Sequence, residues 1–200
     1  MLRDIGVVTH ANKSSRIFDE YCWCFYEMEN SPSEYIRACQ DAYINSPVTK
    51  NNALNGKMFE LMISSLCVRE NIKPVFLQAS VAFVPNVEYD AILYSQEQFP
   101  ISLSMKTSLR ERYKQADLEA IALKYVHRKA ESYLLSLDEN EVMDVKNKIL
   151  SGSVLGINNV LCATSGEFDE FVYNLKERTF IKPEKIEVVK AKNIIDWRYG

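Results

Sequence analysis

Between positions 100 and 106 the chain alternates without a break. Ile101, Leu103 and Met105 fall on one side, and Ser102, Ser104 and Lys106 on the other. A period of two with one apolar face predicts a half-buried strand. Tyr89 to Tyr94 predicts a second strand, with Asp90 on the side of Ile92 and Tyr94, and Ser95–Pro100 predicts the turn between them. An antiparallel pair folded about Gln98 sets Asp90 across from Lys106, and directly opposed residues have Cβ atoms about 5 Å apart. A carboxylate and an amine are thus expected on one polar face, where a segment rich in arginine begins.

The rest of the chain shows mainly helical periodicity. A short strand fragment is expected at Ile5–Thr9. Ile17, Phe18, Tyr21, Cys22 and Phe25 predict a helix from Arg16 to about Glu29, capped by Ser14 or Ser15. Ser31-Pro32 opens a helix over Ser33 to Ile44, and Ser46-Pro47 ends it. Residues 1–54 therefore read as an N-terminal helical lobe, closed by a polar stretch holding Lys50, Asn51 and Asn52. After Asn55-Gly56 a helix runs from Lys57 to about Glu70. Phe59, Met62, Ile63, Leu66 and Cys67 form its buried stripe, and Glu60 lies near its start, where the helix dipole favours a carboxylate. A strand is expected over Pro74–Val84, followed by the hairpin. Leu109 to about His127 is helical, with Arg112, Gln115 and Glu119 on its polar side. Further elements are a strand at Glu131–Leu137, a helix from Asp138 or Asn140 to about Leu150, a strand at Ile157–Thr164 and a helix from Glu167 to about Arg178. A last strand at Ile186–Val189 and an apolar tail at Ile194–Trp197 complete the series. The order implies an α/β fold over residues 55–200, with a mixed central sheet flanked by helices, the whole chain forming one compact domain.

Composition narrows the functional classes. A net charge of −3 argues against coating nucleic acid by bulk charge. A local excess exists all the same: from Lys106 to Glu131 there are seven Lys or Arg against four Asp or Glu, which favours a phosphate-facing patch. No apolar run reaches the roughly 18–20 residues that cross a bilayer, so no membrane partner is expected. The opening residues MLRDIGVVTHANKSS lack a signal-peptide core, which makes the cytoplasm the expected location. The five cysteines are scattered, and His10 and His127 are the only histidines. Reduced, buried thiols are expected in place of a zinc site, and His127 reads as a helix-end residue. With six glycines and no phosphate-binding loop or nucleophile elbow, no organic cofactor is expected.

Gly56-x-x-x-Glu60 on a helix, Asp90 on a strand and Ser104-Met105-Lys106 on the next strand resemble the PD-(D/E)XK nuclease superfamily. The following KTSLRERYKQAD looks like the type II restriction endonucleases within it. The resemblance covers about residues 55 to 165. It implies a restriction-endonuclease-like αβββαβ core that hydrolyses phosphodiester bonds of double-stranded DNA with Mg²⁺, as a homodimer if the target is palindromic. It also implies roles. Asp90 is the main metal ligand, the Met105 carbonyl a second, and Glu60 a further carboxylate. Lys106 orients or deprotonates the attacking water. Arg110, Arg112, Lys114 and Gln115 face the DNA. The chemistry asks for such groups independently: a hard cation needs oxygen ligands, and a lysine stabilises the charge of the transition state. Ser104 stands where the family carries its second acidic residue. Glu60 then compensates, or metal affinity is low, or the site is inactive; the reading holds to an active enzyme.

Each feature also has an ordinary explanation. Asp90 and Lys106 could be a cross-strand salt bridge of small worth, and the arginines a solvated helix end. Two other functions stay open: a non-catalytic nuclease-fold subunit that binds DNA or a partner, and a structure-specific repair or resolvase nuclease. Lys50–Asn52 and Asn158–Asn159 are possible base readers, and the aromatic N-terminal helices a possible dimer surface.

Overall fold

The computed structural model describes residues 1–184. Its centre is a five-stranded sheet in the order β1-β2-β3-β4-β5. The strands are β1 (Val75–Ala79), β2 (Tyr89–Tyr94), β3 (Pro100–Met105), β4 (Glu131–Ser136) and β5 (Asn159–Cys162). β1, β2 and β3 are antiparallel neighbours; β3, β4 and β5 are parallel. Parallel neighbours need long connections, and helices α4 (Arg112–Val126) and α5 (Glu139–Leu150) supply them. The mixed α/β sheet flanked by helices is therefore as the sequence implied.

Helices cover both faces. On one side the apolar residues of β3 (Ile101, Leu103, Met105) share a core with α1 (Lys13–Tyr21), α2 (Pro32–Asn45), α3 (Asn52–Arg69) and α6 (Gly166–Lys176). On the other side Ala116 and Ala120 of α4 and Val142 and Val145 of α5 pack on Leu134 and Val160. α3 is buried on nearly every side, from Leu54 to Cys67, as a helix without a polar face must be. No helix among the described residues is long and apolar enough to cross a membrane.

Several boundaries differ from expectation for local reasons. Residues 5–9 form turns, with Gly6 at φ 78° and its N–H bonded to Arg3, in place of a strand. α1 is capped by Asn12, whose side chain accepts from Ser15 N, so the helix starts before Ser14 and ends at Tyr21. α3 begins at Asn52, five residues early, because Asn51 caps it. Glu60 accordingly sits mid-helix, away from the dipole's positive end. β1 stops at Ala79. Cys24 is exposed, unlike the other four cysteines, and all five are free thiols. The strand and tail expected at 186–189 and 194–197 lie outside the described residues.

The hairpin register also differs. Ala91 pairs with Leu103 and Ile92 with Ser102, which places Asp90 across from Ser104 and not Lys106. The pivot is Glu97, because Gln98 takes φ 65° and closes a tighter turn in which Ser95 N bonds Phe99 O.

Candidate active site

The β2–β3 ladder ends at the Ala91–Leu103 pair. Beyond it the strands part, and the Asp90 side chain enters the gap. Its Oδ2 accepts the Met105 N–H at 2.7 Å and the Lys106 ammonium at 2.8 Å. The acid therefore reaches Lys106 even with the register displaced by two residues. Both side chains keep a little contact with solvent, 15% for Asp90 and 13% for Lys106, so the pair is largely but not wholly buried.

Local backbone explains how Asp90 is aimed. Tyr89 and Ile92 both pack beside Leu123 of α4, while Ala91 and Leu93 join the core on the other face. Residues 89 and 91 should share a face, so the alternation breaks at Asp90. The neighbouring strand breaks at the same level. Phe76 and Ala79 contact the α4-side cluster, Val75 and Leu77 the other, and Gln78 between them has φ 47°. A non-glycine residue in that region costs about 1–2 kcal/mol. Such irregularities re-aim side chains next to functional sites.

Glu60 projects from α3 toward the same end of the sheet. Its Oε2 accepts from Lys57 Nζ at 2.7 Å and from Gln78 Nε2 at 3.4 Å, and Gln78 is in register with Asp90. Ser104 faces the other way, into a narrow space beneath α4. Tyr89, Ser102, Ser132 and Glu119 line that space, and the Ser104 hydroxyl has no hydrogen-bond partner. Ser102 and Ser132 satisfy each other at 2.9 Å.

Glu119, on the polar side of α4, lines the same space as Ser104, a placement that the strand pattern does not indicate. Gln115 Nε2 donates to its Oε1 at 2.7 Å. The signal was present as the Arg112, Gln115, Glu119 series, which points one helix edge at the Ser-rich strand face. The Tyr89 hydroxyl donates to the Glu119 carbonyl at 3.0 Å and fixes the helix over the strand. Burial, helped by the Glu119 charge, pushes the Tyr89 hydroxyl up to about 12.

The basic segment is more dispersed than its sequence suggested. Arg110 has 87% of its side chain exposed and lies 3.8 Å from Glu141. Lys114 pairs with Glu111 at 2.5 Å, and Arg112 is exposed. Glu141, at the start of α5, accepts from Ser108 Oγ at 3.0 Å and Leu109 N at 2.5 Å. It ties down the turn that follows Lys106.

The residues considered as base readers have structural partners. Lys50 donates to the carbonyls of Ser46 and Val48, and Asn51 caps α3. Asn158 accepts from Ser132 N, and Asn159 donates to Glu167. His127 closes α4 and meets the Ala82 carbonyl at 3.3 Å.

The fold is similar to that of a restriction endonuclease. The solved structure is described as "Restriction endonuclease PspGI-substrate DNA complex", with a TM-score of 0.50 and 16% identity over 74% of this chain and 73% of that one. At that identity the likeness concerns the fold. No protein-family model and no curated protein matches the chain.

Among the described residues no three Asp, Glu, His or Cys side chains form a ready metal cage. That suits Mg²⁺, which is commonly held by one or two carboxylates together with substrate phosphates and water. Asp90 takes the Met105 N–H and the Lys106 ammonium both on Oδ2, so Oδ1 is not engaged by either.

Proposed function

We propose that this chain is a Mg²⁺-dependent endonuclease that cuts double-stranded DNA in the manner of a type II restriction enzyme. The contact of Asp90 with Lys106 at the mouth of the parted strands carries the reading. The likeness to a restriction endonuclease solved with substrate DNA supports both the fold and the kind of substrate.

Asp90 supplies the principal oxygen ligand, and the Met105 carbonyl a second. Glu60 supplies a carboxylate from the α3 side. Glu119 lies above Ser104 on the α4 side, away from Glu60, and takes no part in holding the cation; Ser104 contributes only a neutral hydroxyl. A divalent cation held by Asp90 and Glu60 would lower the pKa of a water and neutralise charge on the phosphate. Lys106 orients that water and, as an ammonium, stabilises the growing negative charge on the phosphorane oxygens. Arg110, Arg112 and Lys114 meet the backbone phosphates of the duplex, and Gln115 holds Glu119 in place. A palindromic target makes the working form a homodimer.

Supercoiled plasmid incubated with Mg²⁺ should give discrete fragments, and with EDTA none. Duplex binding without cutting in Mg²⁺ or Mn²⁺ on any plasmid would overturn this. It would favour the second reading, a DNA-binding subunit without catalysis. Cutting confined to junctions or mismatches would mark a repair or resolvase nuclease.

A further inference from the structure

Gln78 lies in β1 with φ 47°, a region that glycine, asparagine and aspartate enter far more readily than glutamine. Its side chain is exposed, so it buries nothing that would offset the backbone. What it offers is an amide at a particular point. Gln78 stands between the register pairs Leu77–Ala91 and Ala79–Tyr89, across from Asp90. Its Nε2 donates to Glu60 Oε2 at 3.4 Å. One residue thus touches the acid of α3 from the strand position opposite Asp90. The break in strand alternation at Gln78 is what turns the amide to that side.

We propose that Gln78 is a positioning residue of the nuclease site, holding the Glu60 carboxylate toward Asp90 so that both acids serve one hydrated divalent cation. The inference rests on the nuclease reading. Glu60 has a competing partner, Lys57, at 2.7 Å on its own helix. Without the Gln78 amide the carboxylate is left to that lysine alone. Partners that orient a metal-binding carboxylate typically contribute a measurable share of metal affinity.

Gln78→Gly separates the two roles of the residue, because it relieves the backbone and removes the amide together. Its melting temperature should hold or rise. The Mg²⁺ concentration for half-maximal cleavage should rise about tenfold, with a smaller fall in the rate at saturating Mg²⁺. Gln78→Asn keeps an amide and tolerates the left-handed backbone, and should recover part of the shift. Mn²⁺ binding by the DNA-free protein, followed by electron paramagnetic resonance, should weaken in parallel and needs no cleavage. If wild type cuts DNA and Gln78→Gly has unchanged metal dependence, the positioning role is wrong and the nuclease reading stands. If wild type neither cuts nor binds Mn²⁺, both fall together.

Discussion

Asp90 Oδ2 holds the Lys106 ammonium at 2.8 Å and the Met105 N–H at 2.7 Å, so one oxygen joins a candidate catalytic pair to the frame of the sheet. Asp90→Asn keeps an acceptor for the amide while removing the charge. It should lower cleavage about 10²–10⁴-fold, as should Lys106→Ala, with melting curves close to wild type. Cleavage rates on plasmid, read beside circular dichroism melts, check this. Full activity in either variant would sink the assigned roles.

Ser104 and Glu119 line one space, and each gives its own prediction. The Ser104 hydroxyl is buried without a partner, and removing an unsatisfied group is near neutral or stabilising. Ser104→Ala should therefore unfold at the same denaturant concentration as wild type or a higher one. Glu119→Gln should keep its hydrogen bonding with Gln115 and cut DNA at close to the wild-type rate, because Glu60 serves the cation from the other side. A fall of about 10²-fold or more would move the second acid from Glu60 to Glu119.

Gly156 is required by space. A Cβ there would lie 2.6 Å from the Asp117 carbonyl and 2.6 Å from the Ile121 N. The loop sits that close because the Asp117 carboxylate takes the N–H groups of Leu155, Gly156 and Ile157. Gly156→Ala should cost about 1–3 kcal/mol in urea unfolding, the usual range for overpacking. It would also shift α4, which carries Glu119.

Stability should decline at both ends of the pH scale. Burial opposes ionisation of Glu70, yet hydrogen bonds and charge from Lys176 and Arg69 outweigh it and hold the carboxyl below its ordinary 4.5. Its contribution is complete above that value and lost as pH falls through the depressed one. At the alkaline end Tyr89 is raised from 10 to about 12 by burial, then by the Glu119 charge. The unfolded chain ionises this tyrosine first, so stability falls as pH climbs from 10 toward 12. Melts of Glu70→Gln and Tyr89→Phe across pH should each make one flank of the profile shallower and leave the other.

Much of this was legible because β3 obeys a period of two, although it is buried on both faces and not half-buried as that pattern predicts, since α4 covers Ser102 and Ser104. Ile101, Leu103 and Met105 are buried as that pattern requires. Asp90 and Lys106 were brought together from the same pattern, for a partly wrong reason. The register depends on the left-handed residue at Gln98, and glutamine does not announce that conformation. The break at Gln78 and Asp90 was hidden for the same cause. It is imposed by packing against α4 on one side and α3 on the other. The neighbourhood of Glu119 and Ser104 is not legible in the strand, because only tertiary packing brings the following helix over it. The termini of α1 and α3 moved because Asn12 and Asn51, not the neighbouring serines or Asn55, hold the first free N–H groups.

The parted strands make the Met105 amide a built-in reporter. Its proton is bonded to the carboxylate whose charge a cation at Oδ1 would draw off, weakening that bond. Loading the site should therefore speed deuterium uptake at this one position, while the Ala91–Leu103 rung below it stays protected.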